Sequence, residues 1–277
     1  MSQQGGNSGR SSGAIRYEPL PTRATNPAIY DAAVSLLVDS FHKDEPTTTA
    51  TGCPEESHRK FFQIMTPQMA DNGLSVVAIA SSGDHGDDEV AGVFIAEDFS
   101  SPPPESLNAF AEQNWDTWGP VFQILDEAEE AFKARWGVPK GELPEQASNG
   151  QQKKFCHLWC VAVDAEKFGR RGIGRTLAEN VLGNAEARGF AVSFAEATGA
   201  FSAKLLAKVG MRATGEWKYA EWVPAPAPSE VGAEGESDGE SVSKAASAVK
   251  PPLIGVAAPH TATLLMEREH RGAGAGE

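Results

Sequence analysis

The segment Leu158–Val163 restricts the fold of this chain more than any other. It reads LWCVAV, an apolar run rich in valine, and a turn rich in glycine and arginine follows it. After Gly172 the apolar residues recur at four-residue spacing, as Ile173, Leu177 and Val181. This order predicts a buried strand, a tight turn and then an amphipathic helix.

The turn before this helix is a candidate anion site. A helix that begins in a glycine-rich turn exposes backbone N–H groups without partners, and its dipole is positive at that end. Three arginines of a kind that suits a diphosphate lie beside it: Arg170, Arg171 and Arg175. A basic surface turn without a ligand is the alternative. The turn has neither the GxGxxG of a Rossmann loop nor the Gly-Lys-Ser/Thr of a Walker loop.

Composition excludes several classes of protein. A formal net charge of −14 disfavours nucleic acid as a partner and is compatible with a cationic amine substrate. No apolar run is long enough to span a bilayer, and residues 1–14 lack the apolar core of a secretory signal. Three cysteines are a sparse set that fits a reducing compartment. We therefore expect a cytoplasmic protein that binds neither membrane nor nucleic acid.

Two interpretations apply to His157 with Cys156 and Cys160 beside it: a metal site, or packing in or next to a strand. The chain offers no second Cys/His pair to complete such a site. We predict packing and no metal.

The pattern of the chain predicts one α/β domain. Residues 1–14 form an expected disordered tail, 15–277 form the domain, and an acidic Pro/Ser/Gly-rich segment at about 224–250 is an expected flexible insertion. Expected strands are 15–20, 74–80, 89–95, 155–163, 190–196, 211–222 and 261–266. Expected helices begin at Asn26-Pro27 and at Gly172, and others cover 55–69, 121–132 and 202–209.

The sequence Val163-Asp164, followed by Gly172-Ile173-Gly174, resembles the pyrophosphate loop of the GCN5-related N-acetyltransferase superfamily. That loop reads R/Q-x-x-G-x-G after a strand that ends in V-D. Gly169 stands where the family has Arg or Gln, and the spacing after Asp164 is one residue longer. The resemblance implies the GNAT fold, with a central mixed, mostly antiparallel sheet flanked by helices. It also implies acetyl-CoA as co-substrate, held by Val161, Ala162, Val163, Gly169, Arg170, Arg171, Gly172, Ile173, Gly174 and Arg175.

A second motif, Phe41-His42-Lys43-Asp44-Glu45-Pro46, resembles the F-x-K-D-E-P segment of the insect-type arylalkylamine N-acetyltransferases. Similar matches follow in the family's order, at Ala91–Phe94, Phe122–Leu125, Phe201–Lys204, Lys208–Met211 and Ala258–His260. Leu206 replaces the tyrosine acid of many other superfamily members, and an apolar residue is usual here in the insect-type group. The resemblance spans about 15–267.

Residue roles follow from this resemblance. Glu45 is the implied general base that takes a proton from the amine, with Asp44 as its competitor in the sequence. Ser202 matches a family serine that protonates the CoA thiolate or holds the site's hydrogen bonds, and Thr198 stands at another family serine. For both hydroxyls the alternative is a helix cap. Backbone N–H groups at the end of the 160–163 strand are expected to polarise the thioester carbonyl.

The implied reaction is direct acetyl transfer to a small primary amine, an arylalkylamine by the resemblance. A polyamine or peptide acceptor is the alternative, and a non-catalytic acyl-CoA-binding module is an alternative of another class. The expected assembly is a monomer or weak dimer. Aromatic residues are predicted to line the amine pocket, with core packing as the alternative: Phe62, Phe110, Trp115, Trp118 and Phe122.

Overall fold

The computed structural model describes residues 14–81, 88–144, 153–225 and 252–270. Its strands are β1 (Ile15–Pro19), β2 (Val76–Ser81), β3 (Asp88–Asp98), β4 (Phe155–Val163), β5 (Val192–Ala197), β6 (Arg212–Lys218) and β7 (Ala262–Glu269). Its helices are α1 (Pro27–Asp44), α2 (Pro46–Thr51), α3 (Glu55–Asp71), α4 (Glu105–Gln113), α5 (Trp115–Trp136), α6 (Ala165–Phe168), α7 (Ile173–Ala187) and α8 (Ala200–Lys208). A short 3-10 helix, Pro252–Gly255, precedes β7.

The strands form one sheet in the order β1-β2-β3-β4-β5-β7-β6. Every neighbouring pair is antiparallel except β4 and β5, which run parallel. The mixed, mostly antiparallel sheet that the sequence predicted is confirmed.

The parallel pair separates soon after it begins. β4 and β5 pair only over residues 155–157 and 192–194. Beyond that point β4 stays paired with β3 as far as Val163, and β5 stays paired with β7. Backbone groups of β4 that point away from β3 after His157 therefore have no strand partner. The sheet opens into two halves at its centre.

Helices cover both faces of the sheet because strand side chains alternate between them. Val76 and Ala78 of β2 pack in one core with α7 and α8. Val77 and Ile79 pack in a second core with α1 and α3. Burial on both faces explains why β2–β5 contain so few polar residues.

The junction of α1 and α2 is set by local sequence. The Asn26 side chain caps α1 by accepting a hydrogen bond from Ile29 N at 3.2 Å. The helix ends at Asp44 because Glu45 precedes Pro46 and takes an extended ψ of 118°. Glu45 is at the same time the N-cap of α2. This double role fixes the position of its side chain.

The expected strand over 211–222 is too long, because β6 ends at Lys218. The chain then turns, and Trp222 N donates to the Lys218 carbonyl oxygen at 2.9 Å. Tyr219 and Trp222 pack with Ile124 and Leu253 in a separate buried cluster. The hydrophobicity of Tyr219 and Trp222 suggested a longer strand, but these side chains are buried at the turn after β6.

On α1 the side chains of Tyr30 and Val38 are buried, whereas Ala32 is exposed. The expected insertion at 224–250 and the expected tail over 1–14 lie almost wholly outside the described residues. Within the described ranges, no helix is both long and apolar enough to cross a membrane.

Candidate active site

A cavity of about 650 Å³ opens where β4 and β5 separate. Trp159, Val161 and Val163 line it from β4, and residues 195–197 line it from β5. The α1–α2 junction, α5 and the start of α8 also contribute to its lining. The opening of the sheet therefore places the three predicted catalytic residues around one space, together with Val161, Val163 and Gly174 of the predicted cofactor-binding residues.

Glu45 lines this cavity and is only 8% exposed. Its carboxylate accepts hydrogen bonds from Thr48 N at 2.5 Å and from Thr47 N at 3.2 Å. The Thr47 hydroxyl lies 2.9 Å from both carboxylate oxygens. Since that hydroxyl has one proton, three donors serve a carboxylate with about four acceptor positions. One position remains for a water or a substrate proton, so Glu45 can cap α2 and still act as a base. Asp44 lines the same cavity but is exposed.

Ser202 lies in the first turn of α8 and Thr198 lies just before this helix. Both residues line the cavity. The Ser202 hydroxyl donates to the Gly199 carbonyl oxygen at 2.8 Å. The N-cap of α8 is Gly199, and the cap has no side-chain hydrogen bond of its own. Neither Thr198 nor Ser202 is thus the N-cap residue of this helix. The Ser202 oxygen keeps its lone pairs for another donor.

The start of α8 is held by a histidine from a distant part of the chain. Ala200 N donates to His260 Nδ1 at 3.0 Å. Because Nδ1 accepts this bond, the ring proton of the neutral imidazole lies on Nε2. Next to it, the Tyr219 hydroxyl donates to the Thr198 carbonyl oxygen at 2.6 Å. His260 of the motif Ala258–His260 thus holds the first turn of α8, a role that the sequence match alone did not reveal.

The glycine-rich turn also reaches the cavity. Gly172, with a positive φ of 77°, is the N-cap of α7, and no side chain caps this helix. The first N–H groups of α7 therefore lack an intrahelical or capping partner. Gly174 in the first turn lines the cavity. Ala162 and Ile173 have their side chains buried in the core, so only their backbones are available to a ligand.

The departure at Gly169 has a local cause. A Cβ atom on this residue would clash with the carbonyl oxygen of Ala165, the first residue of α6. The Arg or Gln of the family does not fit unless that backbone moves. Arg170, the next residue, takes a left-handed φ of 63°. Gly169 is thus a consequence of the short α6 turn.

The three arginines of the turn are all exposed. Arg175 is paired with Glu179 at 2.8 Å, and the Arg171 guanidinium lies 5.8 Å from the centre of the Phe168 ring.

Buried ionisable groups that we did not predict as site residues lie where β4 and β5 separate. His157 Nε2 is 2.7 Å from Glu196 Oε2, and His157 Nδ1 is 3.3 Å from Glu97 Oε1. Trp159 Nε1 also donates to Glu97. Burial alone lowers the imidazole pKa, but Glu196 and Glu97 outweigh it and raise the pKa of His157 to about 10. His157 is therefore a cation at neutral pH.

Asp126 of α5 extends this group into the cavity. Its side chain is accessible from the cavity, yet the surrounding protein, together with Glu129 and Glu196, raises its pKa to about 6 against the opposing effect of Lys133. Lys133 is bound to Glu129 at 2.7 Å and to Glu130 at 3.2 Å. We call Glu97, Asp126, Glu129 and Glu196 the acidic cluster.

The cavity lining carries an excess of negative charge. It includes the charged His157 and no lysine or arginine of the described residues, against six carboxylates: Asp44, Glu45, Glu97, Asp126, Glu129 and Glu196. The available signal in the sequence was a single histidine or glutamate inside an otherwise apolar strand, as with His157 in β4 and Glu196 in β5. Such a cavity favours a cation.

The cysteines beside His157 are packed in the core. Cys156 and Cys160 are buried and free, and burial raises the thiol pKa of Cys156 to about 12. Within the described ranges, no group of three His, Cys, Asp or Glu side chains is arranged to hold a metal ion.

The aromatic prediction is confirmed in part. Trp115, Trp118 and Phe122 line the cavity, whereas Phe62 and Phe110 are core residues that do not. Trp118 stacks on Phe122, with ring centroids 5.4 Å apart. Phe61 and Trp159, which we did not predict, also line the cavity.

A mixed sheet that opens between its parallel strands, with a glycine-rich turn starting the next helix at the opening, defines the fold of the GCN5-related N-acetyltransferases. Among solved structures, the chain is similar to arylalkylamine N-acetyltransferase 2 from Aedes aegypti, at 20% identity over 92% of this chain and 98% of that chain, with a TM-score of 0.65. It is also similar to the polyamine N-acetyltransferase of Drosophila melanogaster that forms N-acetylagmatine, at 17% identity over 92% and 100% of the two chains, with a TM-score of 0.59. A third similar structure is the C-terminal condensation domain of Ebony bound to β-alanyl-dopamine, at 15% identity over 93% and 99%, with a TM-score of 0.57.

No protein-family model and no curated protein matches the sequence. The predicted GNAT fold and its resemblance to the insect-type enzymes are confirmed by the structural comparison. At these identities the likeness concerns the fold, so the chemistry rests on the residues of this chain.

Proposed function

We propose that this protein is an acetyl-CoA-dependent N-acetyltransferase that acts on a small primary amine. The observation that carries the proposal is the cavity at the opening of the sheet, which is lined by Glu45, by the unpaired edge of β4 and by the first turn of α7. A base, an edge of free backbone donors and an anion site around one space are what acetyl transfer from a thioester needs.

The residues present suit acetyl-CoA as co-substrate. It supplies the acetyl group as an activated thioester, and its thiol leaves as the amide bond forms. The uncapped N–H groups at the start of α7 suit its diphosphate. The unpaired backbone edge of β4 offers hydrogen bonds to the amides of its arm, and the N–H groups of Val161 and Val163 to the thioester carbonyl.

Glu45 performs the proton transfer in this proposal. An alkylamine is mostly protonated at neutral pH, and it attacks only after losing a proton. The free acceptor position on the Glu45 carboxylate takes that proton directly or through one water. Ser202 supplies a hydroxyl for the departing thiolate, and Thr198 holds the neighbouring backbone through its bond from Tyr219. Attack is direct, so no covalent enzyme intermediate forms.

Two classes of amine are candidates for the acceptor. The aromatic side chains of Trp115, Trp118, Phe122 and Trp159 favour an arylalkylamine. The six carboxylates that line the same cavity favour a polyamine or another amine with a second positive charge.

Amine-dependent release of CoA thiol from acetyl-CoA tests the function. We expect turnover with at least one of tryptamine, tyramine, dopamine, agmatine and spermidine. Binding of acetyl-CoA without turnover on any amine contradicts the enzyme proposal and favours a non-catalytic acyl-CoA-binding module.

The role of Glu45 is tested with Glu45→Gln. Gln keeps one acceptor oxygen, which serves the N–H group of either Thr47 or Thr48, and it does not take a proton, so we expect kcat to fall about a hundredfold with unchanged affinity for acetyl-CoA. Asp44→Asn is the matched control, since it removes the adjacent carboxylate. If Asp44→Asn is the slow variant and Glu45→Gln is not, Asp44 is the base.

A further inference from the structure

We propose that Asp126 and Glu196 form a subsite for a second positive charge on the acceptor, so that the preferred acceptor is a diamine. The inference rests on the proposed function, because it assigns the acceptor of that same site. Two observations support it in addition to the excess of carboxylates in the cavity lining.

The first observation is an unpaired oxygen on Glu196. Its side chain is only 6% exposed and lines the cavity, and Oε2 binds His157 at 2.7 Å. The other oxygen, Oε1, is buried and has no hydrogen-bond partner among the described residues. A buried carboxylate oxygen without a donor costs free energy, which a positive charge held next to Glu196 in the cavity offsets.

The second observation is the environment of Asp126. This carboxylate is accessible from the cavity and is surrounded by Glu129, Glu130 and Glu196, which disfavour its charged form. Lys133 is already bound to Glu129 and Glu130, and His157 to Glu196. Among the described residues Asp126 forms no such ion pair, so a cation in the cavity next to it supplies the counter-charge that this carboxylate lacks.

The spacing along β4 guides the length of the diamine to be tested. Cys160 and Glu45 line the cavity, and so do His157 and Glu196, which are in contact at 2.7 Å. These two positions on β4 are three residues apart, which is roughly 10 Å at the rise of a strand. An extended chain of seven methylene groups separates two amines by about that distance.

The test compares 1,7-diaminoheptane with heptylamine, which has the same chain and lacks the second charge. Both binding to the CoA-saturated protein and acetyl transfer are measured for the wild type, Asp126→Asn, Glu196→Gln and Asp116→Asn. Asp116→Asn is the matched control, because Asp116 is an exposed carboxylate on α5 that does not line the cavity. Asp126→Asn breaks no ion pair, so it keeps the test valid if Glu196→Gln disturbs folding.

We expect the wild type and Asp116→Asn to bind the diamine about tenfold more tightly than the monoamine. In Asp126→Asn and Glu196→Gln this ratio approaches one through a weaker affinity for the diamine, with the monoamine unchanged. Equal ratios in the wild type and Asp126→Asn overturn the subsite even if both amines are acetylated. Preferential diamine binding that depends on Asp126, without acetyl transfer to either amine, supports the subsite and contradicts the proposed function.

Discussion

The two acidic regions of the cavity are built in opposite ways. Glu45 is held by the residues that directly follow it, Thr47 and Thr48, and all of its donors there are neutral. Glu196 is held by a charged histidine of another strand, and one of its oxygens has no partner. A carboxylate with neutral local donors keeps its freedom to exchange a proton. A carboxylate in a charged, buried cluster depends on its counter-charge, and the following changes test this difference.

The largest effect is expected from His157→Gln. It removes the cation between Glu97 and Glu196 and leaves two buried carboxylates without a counter-charge. We expect the free energy of unfolding to fall by about 3–5 kcal/mol, as for other broken buried ion pairs. Denaturant titration of this variant measures the loss. His42→Gln, an exposed histidine on α1, is the matched control and is expected to change stability by less than about 0.5 kcal/mol.

The same ion pair makes stability depend on pH. The pKa of His157 is raised to about 10 in the folded protein and is about 6.5 in an unfolded chain. Its contribution is therefore complete below about pH 6.5 and is lost as the pH rises toward 10. The difference in stability between the wild type and His157→Gln should shrink over this range. A difference that stays constant shows that the imidazole is not charged in the fold.

The elements that the sequence predicted well are those with local signals. The strand 155–163, the helix after Gly172 and the antiparallel pair near 76–81 and 88–98 are confirmed. Apolar periodicity and capping residues determine such elements within a few positions of the chain. The end of β6 was missed because Tyr219 and Trp222 are buried by contacts with Ile124 and Leu253, which are distant in sequence.

The same distinction applies to the site. Glu45 was proposed from the motif Phe41 to Pro46, and the residues that hold its carboxylate, Thr47 and Thr48, directly follow that motif. Asp126 and Glu196 were missed because they meet only through the order of the strands and the docking of α5. A lone glutamate in an apolar strand indicates a buried charge, but it does not tell which carboxylates surround it.

A smaller effect is expected from Thr47→Val. This nearly isosteric change removes one neutral donor to Glu45 and leaves the backbone donors of residues 47 and 48 in place. We expect a loss of about 1 kcal/mol of stability, typical of one hydrogen bond, and an activity change of less than about tenfold. Thr66→Val is the matched control, because the hydroxyl of Thr66 is buried without a partner and its removal should be neutral or stabilising. A loss as large as that of His157→Gln would show that the two regions do not differ in the way described.

The smallest effect is expected from pH on amine selectivity. The pKa of Asp126 is raised to about 6, so this carboxylate is mostly charged at pH 7 and mostly neutral at pH 5. Over that range the diamine keeps both of its charges and His157 keeps its proton, with a pKa of about 10. We expect the ratio of diamine to monoamine affinity to fall about fivefold from pH 7 to pH 5, measured by calorimetry on the CoA-saturated protein. Asp126→Asn should remove this dependence, because it removes the carboxylate that titrates between pH 5 and pH 7. The charged neighbours Glu97, Glu129, Glu130, Lys133 and Glu196 remain in place in this variant. A ratio that falls equally in Asp126→Asn would assign the titration to another member of the acidic cluster.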